Sequence, residues 1–235
     1  MSILPKLFPP FPDEPEFDIY STIEPAKEVG GDLYDFYHLD EHHLCFVIGD
    51  VSGKGIPASL FMAVAKTLIK ATASNGLDPA EILSKVNDEL ARDNDVCMFV
   101  TVFLGILDLR TGDLEYANGG HNPPLIVPGR GDIEFVKRCG GALVGAMEGI
   151  VFESSRIVMA PGDMLFLYTD GVTEAMNEHM ELFSEERLKR NLTSLRDRPI
   201  KEIVAGVLHE VHHFSQWVEQ SDDITMMAVK YWGRP

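Results

Sequence analysis

The sequence predicts one α+β domain built from layered sheets and helices. Three observations point there. Strand-like runs come in blocks interrupted by paired helical segments, the pattern of segregated layers and not of a doubly wound parallel sheet. A length of 235 residues fits one large domain. A hydrophobic share of 45% lets such a chain bury its core without disulfides or a structural metal.

Residues 1–16 hold five of the fourteen prolines and read as an extended lead-in or linker, with the folded domain spanning 17–232. Phe17–Ile23 alternates apolar and polar as a half-buried strand does. Asp32–Leu39 and His43–Ile48 flank Asp40-Glu41-His42 like the arms of a hairpin. Ile56, Leu60, Val64 and Leu68 fall four apart, predicting a helix over 56–73 with a wide apolar stripe. Asp78-Pro79 supplies a cap and a first-turn proline for a second helix reaching about Arg92. Strands follow at 98–108, 114–117, 125–127, 133–136, 151–158 and 164–168, the first two joined by the turn Thr111-Gly112-Asp113. Helices at about 184–194 and 199–214 precede a closing strand at 224–231.

The charge excludes some classes of function. Twenty Lys and Arg against 37 Asp and Glu leave −17, without the basic face that nucleic acid or an anionic membrane requires. No run approaches the roughly 18 apolar residues of a membrane span, and the start lacks the apolar core of a signal peptide. Cys45, Cys97 and Cys139 stand far apart and odd in number, which reads as buried thiols in a reducing compartment. The expected location is the cytoplasm.

Several acidic residues sit beside small residues at strand ends. Gly30-Gly31-Asp32 opens one strand, Gly49-Asp50-Val51-Ser52-Gly53-Lys54-Gly55 ends another, Thr169-Asp170-Gly171 ends a third, and Ser221-Asp222-Asp223 begins the last. Taken singly, each Asp is more often a turn former or cap than a ligand. Together they could form a site of hard oxygen ligands, which favours magnesium or manganese over zinc. The Gly49–Gly55 segment fits no nucleotide-loop pattern, since Lys54 is followed by Gly55. His209-Glu210-Val211-His212-His213 matches H-E-x-x-H, which would let a zinc peptidase use His209 and His213, but Gln216 breaks the extended motif and an exposed polar helix face is the plainer reading. His121, in Gly119-Gly120-His121-Asn122-Pro123-Pro124, reads as structural.

The combination resembles the metal-dependent (PPM, type 2C) serine/threonine protein phosphatases, and within them the bacterial SpoIIE-type branch that regulates sigma factors. The matching stretches are Glu28–Asp35, Gly49–Ala58, Gly120–Pro124, Pro161–Glu174 and Asp222–Thr225, in the family's order and spanning nearly the whole chain. The resemblance implies an αββα four-layer sandwich, two antiparallel sheets flanked by helices, with two Mn²⁺ or Mg²⁺ ions at one edge. It implies Asp50 bridging the ions, the Val51 carbonyl on one, and Asp170 with Asp222 or Asp223 on the other. Asp222 aligns better with the family pattern. Asp32 would bind directly or through water. Asp50 and Asp170 would then be the catalytic pair of the ion centre, where an ion-activated hydroxide attacks phosphorus in line.

Departures accompany the match. Ser52 stands where many eukaryotic members carry a His, so no side-chain acid for the leaving group is expected there. Lys27 is the counterpart of a phosphate-binding Arg, and a Lys there is a point charge without a bidentate grip. The resemblance implies a phosphorylated protein substrate, an anti-sigma-factor antagonist, and in many members a sensor domain and dimerisation. Its rivals are a pseudophosphatase that signals by binding and, more remotely, the zinc peptidase.

Overall fold

The computed structural model describes residues 15–137 and 139–233, so most of the lead-in, residues 1–14, lies outside the described residues. In chain order the elements are β1 (Phe17–Glu24), β2 (Leu33–His38), β3 (His43–Val51), α1 (Ile56–Ala73), α2 (Pro79–Ala91), β4 (Val100–Asp108), β5 (Asp113–Gly119), β6 (Leu125–Val127), β7 (Glu134–Phe135), β8 (Ser154–Val158), β9 (Met164–Tyr168), α3 (Asp170–Thr173), α4 (Ser184–Leu195), α5 (Ile200–Ser215) and β10 (Ile224–Tyr231). The strands form two five-stranded antiparallel sheets, ordered β1-β10-β9-β6-β7 and β2-β3-β4-β5-β8.

The alternation along the central strands dictates the layers. Leu44, Phe46 and Ile48 of β3 point to one side and meet Leu165 and Leu167 of β9 and Met227 and Val229 of β10 in an inter-sheet core. Cys45 and Val47 point the other way, beneath α1 and α2. Phe166, Tyr168, Met226 and Ala228 likewise turn toward α4 and α5. Strands covered on both faces read as near-continuous apolar runs, as His43–Val51 and Ile224–Tyr231 do. The αββα sandwich is therefore observed.

Helix α1 differs from its expected use. Its buried residues are Ala58, Ala65, Ile69 and Ala73, whereas Ile56, Leu60 and Val64 face outward at 69%, 63% and 52% exposure. Three alanines let the helix lie close on its sheet. Lys66 and Lys70 reach the buried Asp35 of β2, with Nζ–Oδ2 distances of 3.9 and 3.5 Å, and fix the helix's rotation. Contrary to the sequence expectation, α1 is long and apolar enough to cross a membrane by length and composition alone. Here it packs on β2 and β3 with its lysines engaged.

Helix α2 starts as expected. The Asp78 carboxylate accepts from Glu81 N at 2.9 Å while Glu81 Oε2 accepts from Asp78 N at 3.3 Å, a complete capping box. Asp78→Ala is expected to lower stability by about 1 kcal/mol in urea unfolding. Three expected strands are shorter: 98–108 begins at Val100, 133–136 contracts to Glu134–Phe135, and 151–158 begins at Ser154, leaving Val151 84% exposed. Cys97 is exposed at a positive φ of 53°, not buried, because it sits in the connection ahead of β4.

Candidate active site

Antiparallel pairing brings the acidic strand ends together. Leu33 at the start of β2 pairs with Gly49 near the end of β3, so Asp32 and Asp50 share one end of their sheet. Tyr168 at the end of β9 pairs with Met226 near the start of β10, so Asp170 lies beside Asp222 and Asp223 on the other sheet. The two sheet ends meet at one edge of the sandwich, where the Thr169 hydroxyl of one sheet donates to Asp32 Oδ2 of the other at 2.8 Å. Thr169-Asp170-Gly171 follows the end of β9 as expected, and Asp170 opens the single-turn helix α3.

Two glycines make this closeness achievable. A side chain on Gly171 would strike the backbone carbonyl of Asp223, and one on Gly30 would strike the Asp223 carboxylate. That carboxylate is heavily used: Oδ1 accepts from Ala26 N at 2.9 Å, and Oδ2 from Gly31 N at 2.7 Å and Asp32 N at 3.4 Å. Asp223 thus pins the β1–β2 loop to β10. Asp222 is placed differently. Its Oδ1 accepts from Asp223 N at 2.9 Å, and its Oδ2 lies 2.8 Å from Lys54 Nζ.

The electrostatics are those of crowded anions. Burial, then the neighbouring charge of Asp170 and of Asp222, pushes the Asp50 carboxyl from 3.8 up to about 7. Asp32, 2% exposed, is raised well above the ordinary range by burial and by Asp50. Asp170 is raised by burial, with Glu174 and Asp222 adding to it. A carboxyl raised in this way stays protonated in the fold where the unfolded chain has already ionised, between about pH 4 and 7, so stability falls as pH rises through that window. Relative to Asp50→Asn, the EDTA-treated wild type is expected to lose melting temperature as pH rises from 4 to 7, while the buried neutral His121 adds the opposite trend to both proteins. An identical slope in the two proteins would contradict it.

Whether a divalent cation fits here is a question of donor chemistry. The groups are hard oxygens whose mutual repulsion a cation relieves, and in that respect they suit Mg²⁺ or Mn²⁺. Among the described residues no group of three or more Asp, Glu, His or Cys side chains is placed to hold a metal ion as it stands. Asp222 is turned to Lys54, whose ammonium is held above the usual lysine range chiefly by that contact.

Other candidates fall elsewhere. Lys27 is exposed on the β1–β2 loop, next to Ala26. His209 and His213 lie with parallel rings, centroids 6.4 Å apart, on the exposed face of α5, and His212 Nε2 bonds Glu24 Oε2 at 2.9 Å. Among the described residues no third Asp, Glu, His or Cys joins that pair in a metal-holding group. His121 is 4% exposed and kept neutral, its pKa lowered to about 4 by burial. Its Nδ1 lies 2.9 Å from Thr101 Oγ1, which donates to the Asp50 carbonyl at 3.3 Å. That is the structural role expected for it. Sequence reasoning missed Thr169 and Lys54 as partners of the cluster. Both stood inside the motif stretches, but nothing in their spacing says which carboxylate each meets.

A family model described as Stage II sporulation protein E (SpoIIE) matches residues 40–232. The chain belongs to the SpoIIE family. It is a SpoIIE-family, type 2C phosphatase domain, and four of its five motif stretches lie inside the match, Glu28–Asp35 preceding it. It is 33% identical over 245 residues to the protein IcfG of Synechocystis sp. (strain ATCC 27184 / PCC 6803 / Kazusa), covering 93% of this chain and 38% of IcfG. It is 27% identical over 222 residues to the phosphoserine phosphatase RsbU of Bacillus subtilis (strain 168), covering 93% of this chain and 64% of RsbU. The crystal structure of the RsbU and RsbW domains of Rv1364c from Mycobacterium tuberculosis superposes with a TM-score of 0.83 at 27% identity, over 94% of this chain and 61% of that one. The chain thus spans less than two thirds of the length of these SpoIIE-family relatives.

Proposed function

We propose that this chain hydrolyses phosphoserine or phosphothreonine esters on a regulatory protein with the aid of two divalent cations, Mn²⁺ or Mg²⁺. The observation that carries the reading is the placing of Asp32, Asp50, Asp170 and Asp222 at one sandwich edge, with the carboxyls of Asp32, Asp50 and Asp170 raised above the ordinary pKa range by burial and neighbouring charge. Asp50, Asp32 and the Val51 carbonyl would hold one ion, and Asp50 together with Asp170 and Asp222 would hold the other. Asp222 is favoured over Asp223 because the Asp223 oxygens already accept three backbone N–H groups. Bound ions supply the Lewis acidity that activates water and balances phosphoryl charge.

The remaining residues hold that arrangement. Thr169 orients Asp32, the His121–Thr101 pair steadies the Asp50 end of β3, and Asp223 fixes the loop that carries Lys27. Lys27, exposed there, offers a point charge to the incoming phosphate. An anti-sigma-factor antagonist is the favoured substrate, since RsbU is named a phosphoserine phosphatase and the Mycobacterium protein joins RsbU and RsbW domains. The reading includes a cytoplasmic location and a regulatory partner, sensor domain or second copy. A net charge of −17 argues against nucleic acid and requires the cations to draw in an anionic phosphoprotein.

Hydrolysis of p-nitrophenyl phosphate with Mn²⁺ titrated into EDTA-treated protein tests the reading. Turnover that rises with Mn²⁺ and is not restored by Zn²⁺ is expected. A folded protein that neither turns over nor binds Mn²⁺ by calorimetry overturns it, whereas tight binding without turnover marks a partner-gated or pseudophosphatase form.

A further inference from the structure

Beside the carboxylate edge, a groove of about 390 Å³ opens between the loop after α3 and the C-terminal end of α5. Met176, His212, Glu219 and Asp222 are among its lining, so it is continuous with an aspartate assigned to an ion. Its walls are held in place. Gln220 Nε2 donates to the Glu24 carbonyl at 2.8 Å and to the Asp222 carbonyl at 2.7 Å, tying the connection before β10 to the end of β1. In the loop after α3, Phe183 N donates to the Ala175 carbonyl at 2.8 Å and Asn177 N to the Glu181 carbonyl at 3.1 Å. The charges are matched except at one place. Glu24 holds His212 at 2.9 Å and Lys54 holds Asp222 at 2.8 Å, while among the described residues Glu219 has no hydrogen bond or ion pair. Trp217, between the lining residues Gln216 and Val218, is 79% exposed, and Met180 in the loop after α3 is 80% exposed.

A protein substrate brings chain on either side of its phosphoester, and that chain must lie against the enzyme. Large apolar side chains exposed at the rim of a polar groove mark a surface for such contact. An indole and an unmatched carboxylate, two residues apart on one connection, suit a guanidinium, which stacks on the ring and forks onto the carboxylate. We infer that this groove receives the segment flanking the phosphoserine or phosphothreonine, and that Trp217 and Glu219 select a basic side chain, arginine above all, in that segment. The inference rests on the phosphatase reading and adds the chemistry of the substrate to it. A basic flank also eases a difficulty of charge. A −17 enzyme repels an anionic phosphoprotein, and a cationic neighbour of the phosphoester offsets that repulsion.

The test uses fluorescein-labelled nonapeptides with a central serine flanked on both sides by two arginines or by two glutamates. Binding to the Mn²⁺-loaded chain is read by fluorescence anisotropy. Wild type is expected to bind the arginine peptide at least about fivefold more tightly than the glutamate peptide. Net charge alone gives part of that preference, so the variants decide. Trp217→Ala and Glu219→Gln are each expected to weaken the arginine peptide by roughly two- to fivefold, the range of an exposed cation–π contact or ion pair. Glu89→Gln, an exposed change on α2, is expected to keep the wild-type preference. With the serine-phosphorylated peptides and Mn²⁺, the loss is expected in KM and not in kcat. Equal binding of the two peptides, or a preference that either groove variant leaves unchanged, overturns the inference, while Mn²⁺-dependent hydrolysis of p-nitrophenyl phosphate leaves the phosphatase reading standing. A dimer in sedimentation that Trp217→Ala dissociates, with both peptides bound alike, makes the rim an interface between copies and overturns it as well. A folded wild type that neither binds Mn²⁺ nor hydrolyses p-nitrophenyl phosphate removes that reading, and this inference with it.

Discussion

Asp50→Asn is expected to lower Mn²⁺-dependent hydrolysis of p-nitrophenyl phosphate by at least about a hundredfold, because the ions supply several kcal/mol of charge stabilisation in the transition state. The same change is expected to raise the melting temperature of the EDTA-treated protein at pH 7. Asp50 is the most crowded of the carboxylates, buried and facing both Asp170 and Asp222, and its ionised form is costly in the fold without a cation. Asn fills the same volume without the charge. Activity and stability thus move in opposite directions, which separates loss of an ion-binding group from simple unfolding. If the variant lost stability along with turnover, Asp50 would be holding the fold and not the ions.

The second large effect separates two adjacent aspartates. Asp223→Asn keeps the shape but replaces one acceptor oxygen by a donor, facing backbone N–H groups of Ala26, Gly31 and Asp32. Charge-assisted bonds of this kind support a loss of about 2–3 kcal/mol, measured by urea unfolding. Asp222→Asn retains the acceptor for Asp223 N and gives up a partly exposed ion pair with Lys54, a loss of under about 1 kcal/mol. Both variants are expected to weaken Mn²⁺ binding, Asp222→Asn by removing a ligand and Asp223→Asn by releasing the loop that positions Asp32. A stable Asp223→Asn protein with lost Mn²⁺ binding would make Asp223 a ligand instead of an anchor.

Much of this was legible along the chain. The hairpin at 33–51, the α2 cap at Asp78-Pro79 and the acidic strand ends all rest on local chemistry, and local chemistry is written in neighbouring residues. The stripe of α1 misled because a four-residue spacing marks a face without saying which way the face turns. Ala58, Ala65 and Ala73 give a weak hydrophobic signal, yet they are the residues that allow close packing. Val151 and Cys97 misled similarly, since apolar character does not ensure a place in a sheet or a core.

What the sequence determined by itself was the layered α+β class, the order of the strands and long helices and the acidic residues at the strand ends, since strand alternation and motif chemistry need only near neighbours. What only the tertiary structure decided was which partner each of those aspartates meets. Gly171 and Gly30 sit against Asp223, Thr169 spans the two sheets to Asp32, and Lys54 crosses from the start of α1 to Asp222. Apart from Gly171 against Asp223, each of those contacts joins residues more than a hundred positions apart. They exist because two antiparallel sheets, packed through Leu44, Phe46, Leu165 and Val229, hold opposite ends of the chain at a single edge.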